Sequence, residues 1–247
     1  NYTISVRAIN VEGTSEYTNG VVQLTHIAAP SKTPQNVMTV ALSDTSIRVT
    51  FDPPPAINQN GPDLMYNISY TGEIFDNNTQ FVMVNAPNSN YPAETQISVN
   101  LTELQEYNNY TISIRAINVE GTSEYTNGVV QLTDIAAPSD TPQNVMTETL
   151  SATSIRVTFD PPPAIDQNGP DLMYNISYTG EIFDNNTQFV MVNAPNSNYP
   201  AETEISVNLT ELQEYNNYTI SVRAINVEGT SEYTNGVVQL TDIAGEM

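Results

Sequence analysis

"NYTISIRAIN" occupies residues 109–118, and nearly the same ten letters stand at 1–10 and 217–226 as "NYTISVRAIN". Within it Tyr110, Ile112, Ile114 and Ala116 alternate with Thr111, Ser113 and Arg115. A period of two residues puts the first set on one face of a β-strand and the second set on the other. The same reading extends outward. "SIRVTF" (46–51) sets Ile47, Val49 and Phe51 on one face, and "LMYNISY" (64–70) does the same with Tyr66, Ile68 and Tyr70. "TQFVMV" (79–84) reads as a short strand, and "YPAETQISVNL" (91–101) leads into another with Ile97, Val99 and Leu101 inward. "TNGVVQL" (126–132) is expected to turn Val130 and Leu132 inward, and a strand near "QNVMT" (35–39) completes seven. "PPPAINQNGPD" (53–63) is a loop, because proline cannot donate to a central ladder and Asn-Gly favours a turn. Helical i, i+3, i+4 spacing is lacking throughout. Seven short alternating strands punctuated by turns predict an all-β sandwich.

Self-comparison gives a period of 108 residues, aligning Asn1 with Asn109 and Asn217, and Pro34 with Pro142. Residues 28–135 and 136–243 differ at seven positions: Lys32/Asp140, Val40/Glu148, Ala41/Thr149, Asp44/Ala152, Asn58/Asp166, Gln96/Glu204 and Ile114/Val222. Residues 1–27 match 109–135 except at Val6/Ile114 and His26/Asp134. The chain is therefore read as a partial repeat (1–27) holding only the last two strands, followed by complete repeats at 28–135 and 136–247. Residues 1–27 should pair with each other as a hairpin, since the connection from Thr25 to Thr33 is too short to fold them back onto the strands of the next repeat. Such a two-stranded piece is marginal alone, so it is expected to be a window on a longer array or to be covered by a neighbouring chain. The joint "DIAAPSD" (134–140), short and holding Pro138, should limit the angle between repeats and keep the array extended.

The 247 residues carry 28 acids against 6 bases, a net charge of −22. Such a surface repels phosphate, which argues against nucleic acid as a partner. No apolar run approaches the roughly 18 residues needed to cross a membrane. The absence of cysteine removes disulfides and thiol chemistry. The single histidine, His26, is replaced by Asp134 and Asp242 in the other copies, so it is read as an exposed linker residue. Without a repeated histidine or a cysteine, no nucleophile–base set can be assembled, and an enzyme is not expected.

"LQEYNNY" (104–110) resembles the tyrosine-corner segment of fibronectin type III domains, with Leu104 followed six residues later by Tyr110, and Leu212 by Tyr218 in the second copy. "VTFDPPP…NGP…Y.I.Y" is similar to strand B, the BC loop and strand C of that family, and Ala116, Ile117, Asn118, Gly121 and Ser123 to its FG hairpin. The resemblance implies tandem seven-stranded, immunoglobulin-like sandwiches arranged as extended beads. It also implies a tyrosine hydroxyl bonded back to nearby backbone. Phe51 and Phe159 stand where the family usually has tryptophan, Glu106 and Glu214 where the corner usually has proline, and the adhesive RGD triplet is missing. The repeat exceeds the family's usual length, with the excess expected in 71–79 and 85–95.

Asn-x-Ser/Thr triplets begin at Asn1, Asn67, Asn77, Asn100, Asn109, Asn175, Asn185, Asn208 and Asn217. Alternation turns Asn67, Asn100 and Asn109, with Asn175, Asn208 and Asn217, outward, and Asn77 and Asn185 fall in a loop. A glycan is tolerated only on a surface, so these eight are expected carbohydrate sites on a secreted chain. "DQNGPD" (166–171) has calcium-like oxygens, but its counterpart "NQNGPD" is already explained as a turn. No cofactor and no metal is expected, with calcium, there or at the joints, as the alternative. Tyr107 and Tyr125, with Tyr215 and Tyr233, are candidate contacts between beads. The resulting expectation is a non-catalytic extracellular structural or adhesive array, with the spacer of a receptor ectodomain as the alternative. Its partners would be other copies of the repeat or neighbouring chains.

Overall fold

A computed structural model describes residues 2–23, 25–74, 78–87, 92–93, 95–182, 186–195, 200–243 and 245. The first complete repeat builds two sheets. In one, β5 (Gln35–Ser43) pairs with β6 (Ser46–Asp52), which pairs with β9 (Ile97–Leu101). In the other, β8 (Gln80–Asn85), β7 (Met65–Gly72), β10 (Asn109–Asn118) and β12 (Val129–Leu132) lie side by side, with the two-residue β11 (Gly121–Thr122) on the end of β10. The second repeat repeats this with β13 (Gln143–Ser151), β14 (Ser154–Asp160) and β17 (Ile205–Leu209) facing β16 (Gln188–Asn193), β15 (Met173–Gly180), β18 (Asn217–Ile225) and β19 (Val237–Leu240). All described pairings are antiparallel.

Register explains why alternation is readable on the central strands. Tyr66, Ile68 and Tyr70 stand opposite Ala116, Ile114 and Ile112, so the apolar sets of β7 and β10 share one face. Ile47, Val49 and Phe51 of the other sheet close over them, and all of these side chains are buried. Phe51 meets Tyr66 edge-on at 5.0 Å between centroids, and Phe159 meets Tyr174 at the same distance. Aromatic pairs prefer this geometry.

Three expectations are corrected. Val130 and Leu132 point outward, 60% and 36% exposed, because Val129 and Gln131 are the residues opposite inward-facing Ile112 and Tyr110. The strand expected at 35–39 runs on to Ser43, with Met38, Val40 and Leu42 on its outer face. The loop at 53–63 contains one helical turn, α1 (Ala56–Gln59), and Ala164–Asp166 forms a 3₁₀ turn in the second repeat. That turn drives Gln59 into the interior. Its amide nitrogen donates to the carbonyls of Pro54 and Ala93, and its oxygen accepts from the Ala93 N–H. A polar loop residue thus ties two connections together with all its bonds made.

Before the first sandwich, β1 (Tyr2–Ile4) pairs with β4 (Val21–Gln23), and β2 (Ile9–Asn10) with β3 (Gly13–Thr14). Tyr2 stands opposite Gln23 and Ile4 opposite Val21. That is the register of Tyr110 with Gln131 and Ile112 with Val129. No described residue of this hairpin pairs into the sheets that follow, and Ile4, Val6 and Ile9 are exposed.

Candidate functional site

The polar side chains with the most partners gather at the two poles of each bead. At one pole Tyr110 crosses the β9–β10 connection, and its hydroxyl accepts the Gln105 N–H at 2.8 Å; Tyr218 accepts the Gln213 N–H at 2.9 Å. Leu104 and Leu212 are buried beside them. Thr133, also buried, donates to the Gln105 carbonyl and accepts from the Asn108 N–H, fastening the end of β12 to the same connection. Asp134 continues the clasp: its N–H reaches the Ser43 carbonyl and its carbonyl accepts from Tyr107.

At the opposite pole one asparagine gathers three segments. The Asn118 side-chain oxygen accepts the N–H groups of Glu120 and Gly121, closing the turn after β10. Its nitrogen donates to the Gln59 carbonyl and, at 2.7 Å, to the carbonyl of Ala28 in the incoming linker. Asn226 repeats all four contacts with Glu228, Gly229, Gln167 and Ala136. Ile27 and Ile135 lie against Gly61 and Gly169, where an added Cβ would come within 2.6 Å of the isoleucine methyl. A larger residue there would displace the linker. In the sequence Asn118 is placed only by the family resemblance, in the FG hairpin. The available signal was an asparagine ending an alternating run three residues before glycine, repeated at Asn10, Asn118 and Asn226.

The substitution of Asn58 by Asp166 is accommodated at this pole by a hydroxyl. Ser31 accepts from the Asn58 amide at 3.0 Å, whereas Ser139 donates to the Asp166 carboxylate at 2.9 Å. Serine can do either.

Between beads, Tyr107 lies at the joint with Asp44, Asp134, Ile135 and Glu228 along one cleft, and the Gln105 amide donates to the Ile165 carbonyl at 3.1 Å. Tyr215, the counterpart of Tyr107 in the second bead, is 59% exposed. Tyr125 and Tyr233 were expected at such contacts and are not there. They fold onto their own sheet, where the Arg115 and Arg223 guanidinium groups stack on their rings at 4.8 and 4.6 Å. The cation–π attraction and cross-strand position outcompete an interbead role. Arg7 and Tyr17 make the same pair in the hairpin at 4.9 Å.

The triplet asparagines fall into distinct settings. Asn100 and Asn208 are exposed on β9 and β17. Asn109 and Asn217 are half-buried, and their amides donate to Glu73 and Glu181 at 2.9 Å. Asn67 stands opposite Arg115 and its oxygen accepts from the Tyr125 hydroxyl, while Asn175 stands opposite Arg223. Asn77 and Asn185, like Asn1, lie outside the described residues. His26 is exposed. In the loop weighed for calcium, Asn60 and Asn168 donate to the linker carbonyls of Ala29 and Ala137. Among the described residues no group of three or more His, Cys, Asp or Glu could hold a metal ion.

Tyr66 and Tyr110 make opposite uses of a phenol. The Tyr66 hydroxyl is buried without a hydrogen-bond partner, and burial pushes its pKa up to about 12. Tyr110→Phe leaves the Gln105 N–H unpaired and should destabilise its bead by about 1 kcal/mol, whereas Tyr66→Phe should be neutral or stabilising. Urea titration of the two variants checks the contrast; equal losses would contradict it.

The fold defines the class: sandwiches of three and four strands, closed by a tyrosine hydroxyl at one pole and joined through short linkers. The chain belongs to the fibronectin type III domain family, whose model matches residues 32–131 and 140–239. It is 29% identical over 232 residues to the cell adhesion molecule Dscam1 of Drosophila melanogaster, covering 92% of this chain and 11% of that protein. It is 29% identical over 244 residues to protein sidekick-1 of Gallus gallus, with the same two coverages. It is 26% identical over 246 residues to receptor-type tyrosine-protein phosphatase F of Danio rerio, covering 97% of this chain and 12% of that protein. The chain thus spans about a tenth of the length of these relatives.

Proposed function

We propose that this chain is a non-catalytic adhesive segment at the cell surface, built to hold and space binding faces rather than to transform a substrate. The observation that carries this reading is the pair of family modules joined through a short linker hydrogen-bonded to both, in a chain whose relatives include a protein described as a cell adhesion molecule. The fibronectin type III fold is a non-catalytic module, which supports this reading. The reading is supported by the structural use of the buried polar residues at the poles, which bind backbone carbonyls and N–H groups. No helix among the described residues is long and apolar enough to cross a membrane. In this reading the beads need no cofactor, the partners are other copies of the repeat or neighbouring chains, and the 28–135 and 136–247 divisions are the working units.

The test is a cell-aggregation assay. Non-adherent cells displaying residues 1–247 on a membrane anchor are mixed with cells displaying the anchor alone. The expected result is clustering restricted to cells bearing the chain, or clustering of both types onto it. Cells that stay dispersed like the controls would remove adhesion and leave only a spacer.

A further inference from the structure

Among the seven positions at which the two complete beads differ, one changes the character of a whole face. On β5 the side chains of Met38, Val40 and Leu42 form an exposed apolar stripe, and Val40 stands opposite Arg48 of β6. On β13 the same stripe reads Met146, Glu148 and Leu150, and Glu148 stands opposite Arg156 of β14. There the carboxylate holds its cross-strand arginine at 3.0 Å. In the first bead the arginine is exposed and forms no ion pair with a described residue. Of the chain's six bases, Arg7, Arg115 and Arg223 lie on tyrosine rings and Arg156 is paired, which leaves Arg48 and Lys32 facing solvent among 28 acids. Arg156 engages only Oε2 of Glu148, and 66% of the Glu148 side chain is exposed, so the second oxygen is open to a guanidinium from outside.

We propose that this chain associates with a second copy of itself through these two faces, the β5 stripe of one copy lying on the β13 stripe of the other. The proposal rests on the reading that the partners are copies of the repeat. The contact sets Met38 and Leu42 against Met146 and Leu150 of the other copy, and it brings Arg48 to the open oxygen of that copy's Glu148. Charge decides which faces meet. Two β5 faces would oppose Arg48 to Arg48, and like charges across an interface suppress the wrong pairing. A β13 face meeting another β13 face gains nothing, since Glu148 and Arg156 already neutralise each other. Only the mixed contact gives the unpaired cation a carboxylate. The linker, bonded to one bead at Asp134 and to the next at Ala136, keeps the two stripes of one chain from folding face to face, so the contact is made between chains. When two copies run antiparallel, the mixed contact occurs twice by symmetry. Each face is small and one contact alone is weak, but two contacts in one complex reinforce each other through their high effective concentration.

The experiment is sedimentation equilibrium of purified residues 1–247, made in bacteria so that Asn100 and Asn208, opposite Arg48 and Arg156, carry no sugar. It is run near physiological ionic strength, where repulsion between two chains of charge −22 is screened beyond about 8 Å. The wild-type chain should associate reversibly in the micromolar range. Arg48→Glu alone and Glu148→Arg alone each place like charges at both contacts, and each should weaken association about tenfold. An equimolar mixture of these two variants should recover wild-type association, because every contact between unlike chains then joins an acid to a base. Val40→Glu, which gives the first bead the carboxylate that the second already carries on the same strand, should weaken association as well. A wild-type chain that stays monomeric would overturn the proposal. So would association that Arg48→Glu and Glu148→Arg leave unchanged, which would assign it to another surface such as the exposed hairpin, or a mixture that associates no better than its components. Cells that cluster through a chain that is monomeric in solution would remove this contact and leave adhesion standing, whereas chains that pair in solution on cells that stay dispersed would remove adhesion and leave the contact.

Discussion

Phe51→Ala is expected to split thermal unfolding into two separate transitions. Phe51 is fully buried, packs edge-on against Tyr66 and lies in the centre of one core, while the other bead keeps Phe159. Removing a buried phenyl ring costs about 3–5 kcal/mol through lost transfer energy and the cavity left behind. For a bead of this size each kcal/mol lowers the midpoint by about 4–8 °C. The first bead should therefore melt at least about 12 °C below its wild-type midpoint, with the second near its original temperature. Differential scanning calorimetry reads both at once. A single cooperative transition moved downward as a whole would show that the beads unfold together, contrary to their separate cores.

The second large effect is alkaline. Burial raises the Tyr66 pKa from its ordinary 10.0 to about 12, and pushes Tyr174 the same way. Tyr70 and Tyr178 also move upward, first through burial and then through Tyr110 and Glu103 or Tyr218 and Glu211. The neutral phenol is thus the form the fold favours. Its contribution is complete below pH 10.0, where unfolded tyrosine is also protonated, and is lost as pH rises from there toward about 12. Each tenfold difference in proton affinity between the folded and unfolded chain corresponds to about 1.4 kcal/mol, so Tyr66 should remove about 2–3 kcal/mol from the first bead across that window. Urea midpoints followed from neutral pH to near pH 12 should fall steeply, and Tyr66→Phe with Tyr174→Phe should flatten most of the fall. Double variants that lose stability as steeply as wild type would assign the effect to other groups.

The strands that form the core were legible because both physical signals agreed. Ile47–Val49–Phe51 and Tyr66–Ile68–Tyr70 alternate without ambiguity, and antiparallel register then places them together. "VVQL" at 129–132 offered two phases, since apolar residues stand at 129, 130 and 132. The choice fell to the pairing of Val129 with Ile112, a contact between residues 17 positions apart that no local pattern carries. The pole contacts were hidden for a related reason. Asn118 and Gln59 look like solvent-facing turn residues until the linker and a second loop converge on them. Asn67 and Asn100 share the same triplet and the same outward parity. Only the arrangement of neighbouring strands separates an asparagine bonded to a tyrosine hydroxyl from one on a sheet edge.

The clasped linker has a mechanical consequence. Asp134 is bonded to Ser43 and Tyr107 of the bead before it, while Ala136 is bonded to Asn168 and Asn226 of the bead after it. A single residue, Ile135, lies between the two sets of anchors, and its methyl rests against Gly169. Tension applied along such a chain finds no slack to draw out. Stretching would begin as stiff elastic loading of the poles, and the first large gain in length would come when a sandwich gives way. That event would release up to about 380 Å of contour for each 108-residue repeat. A fibre of these beads would therefore resist small strains like a rod and yield to large ones in discrete steps of one bead.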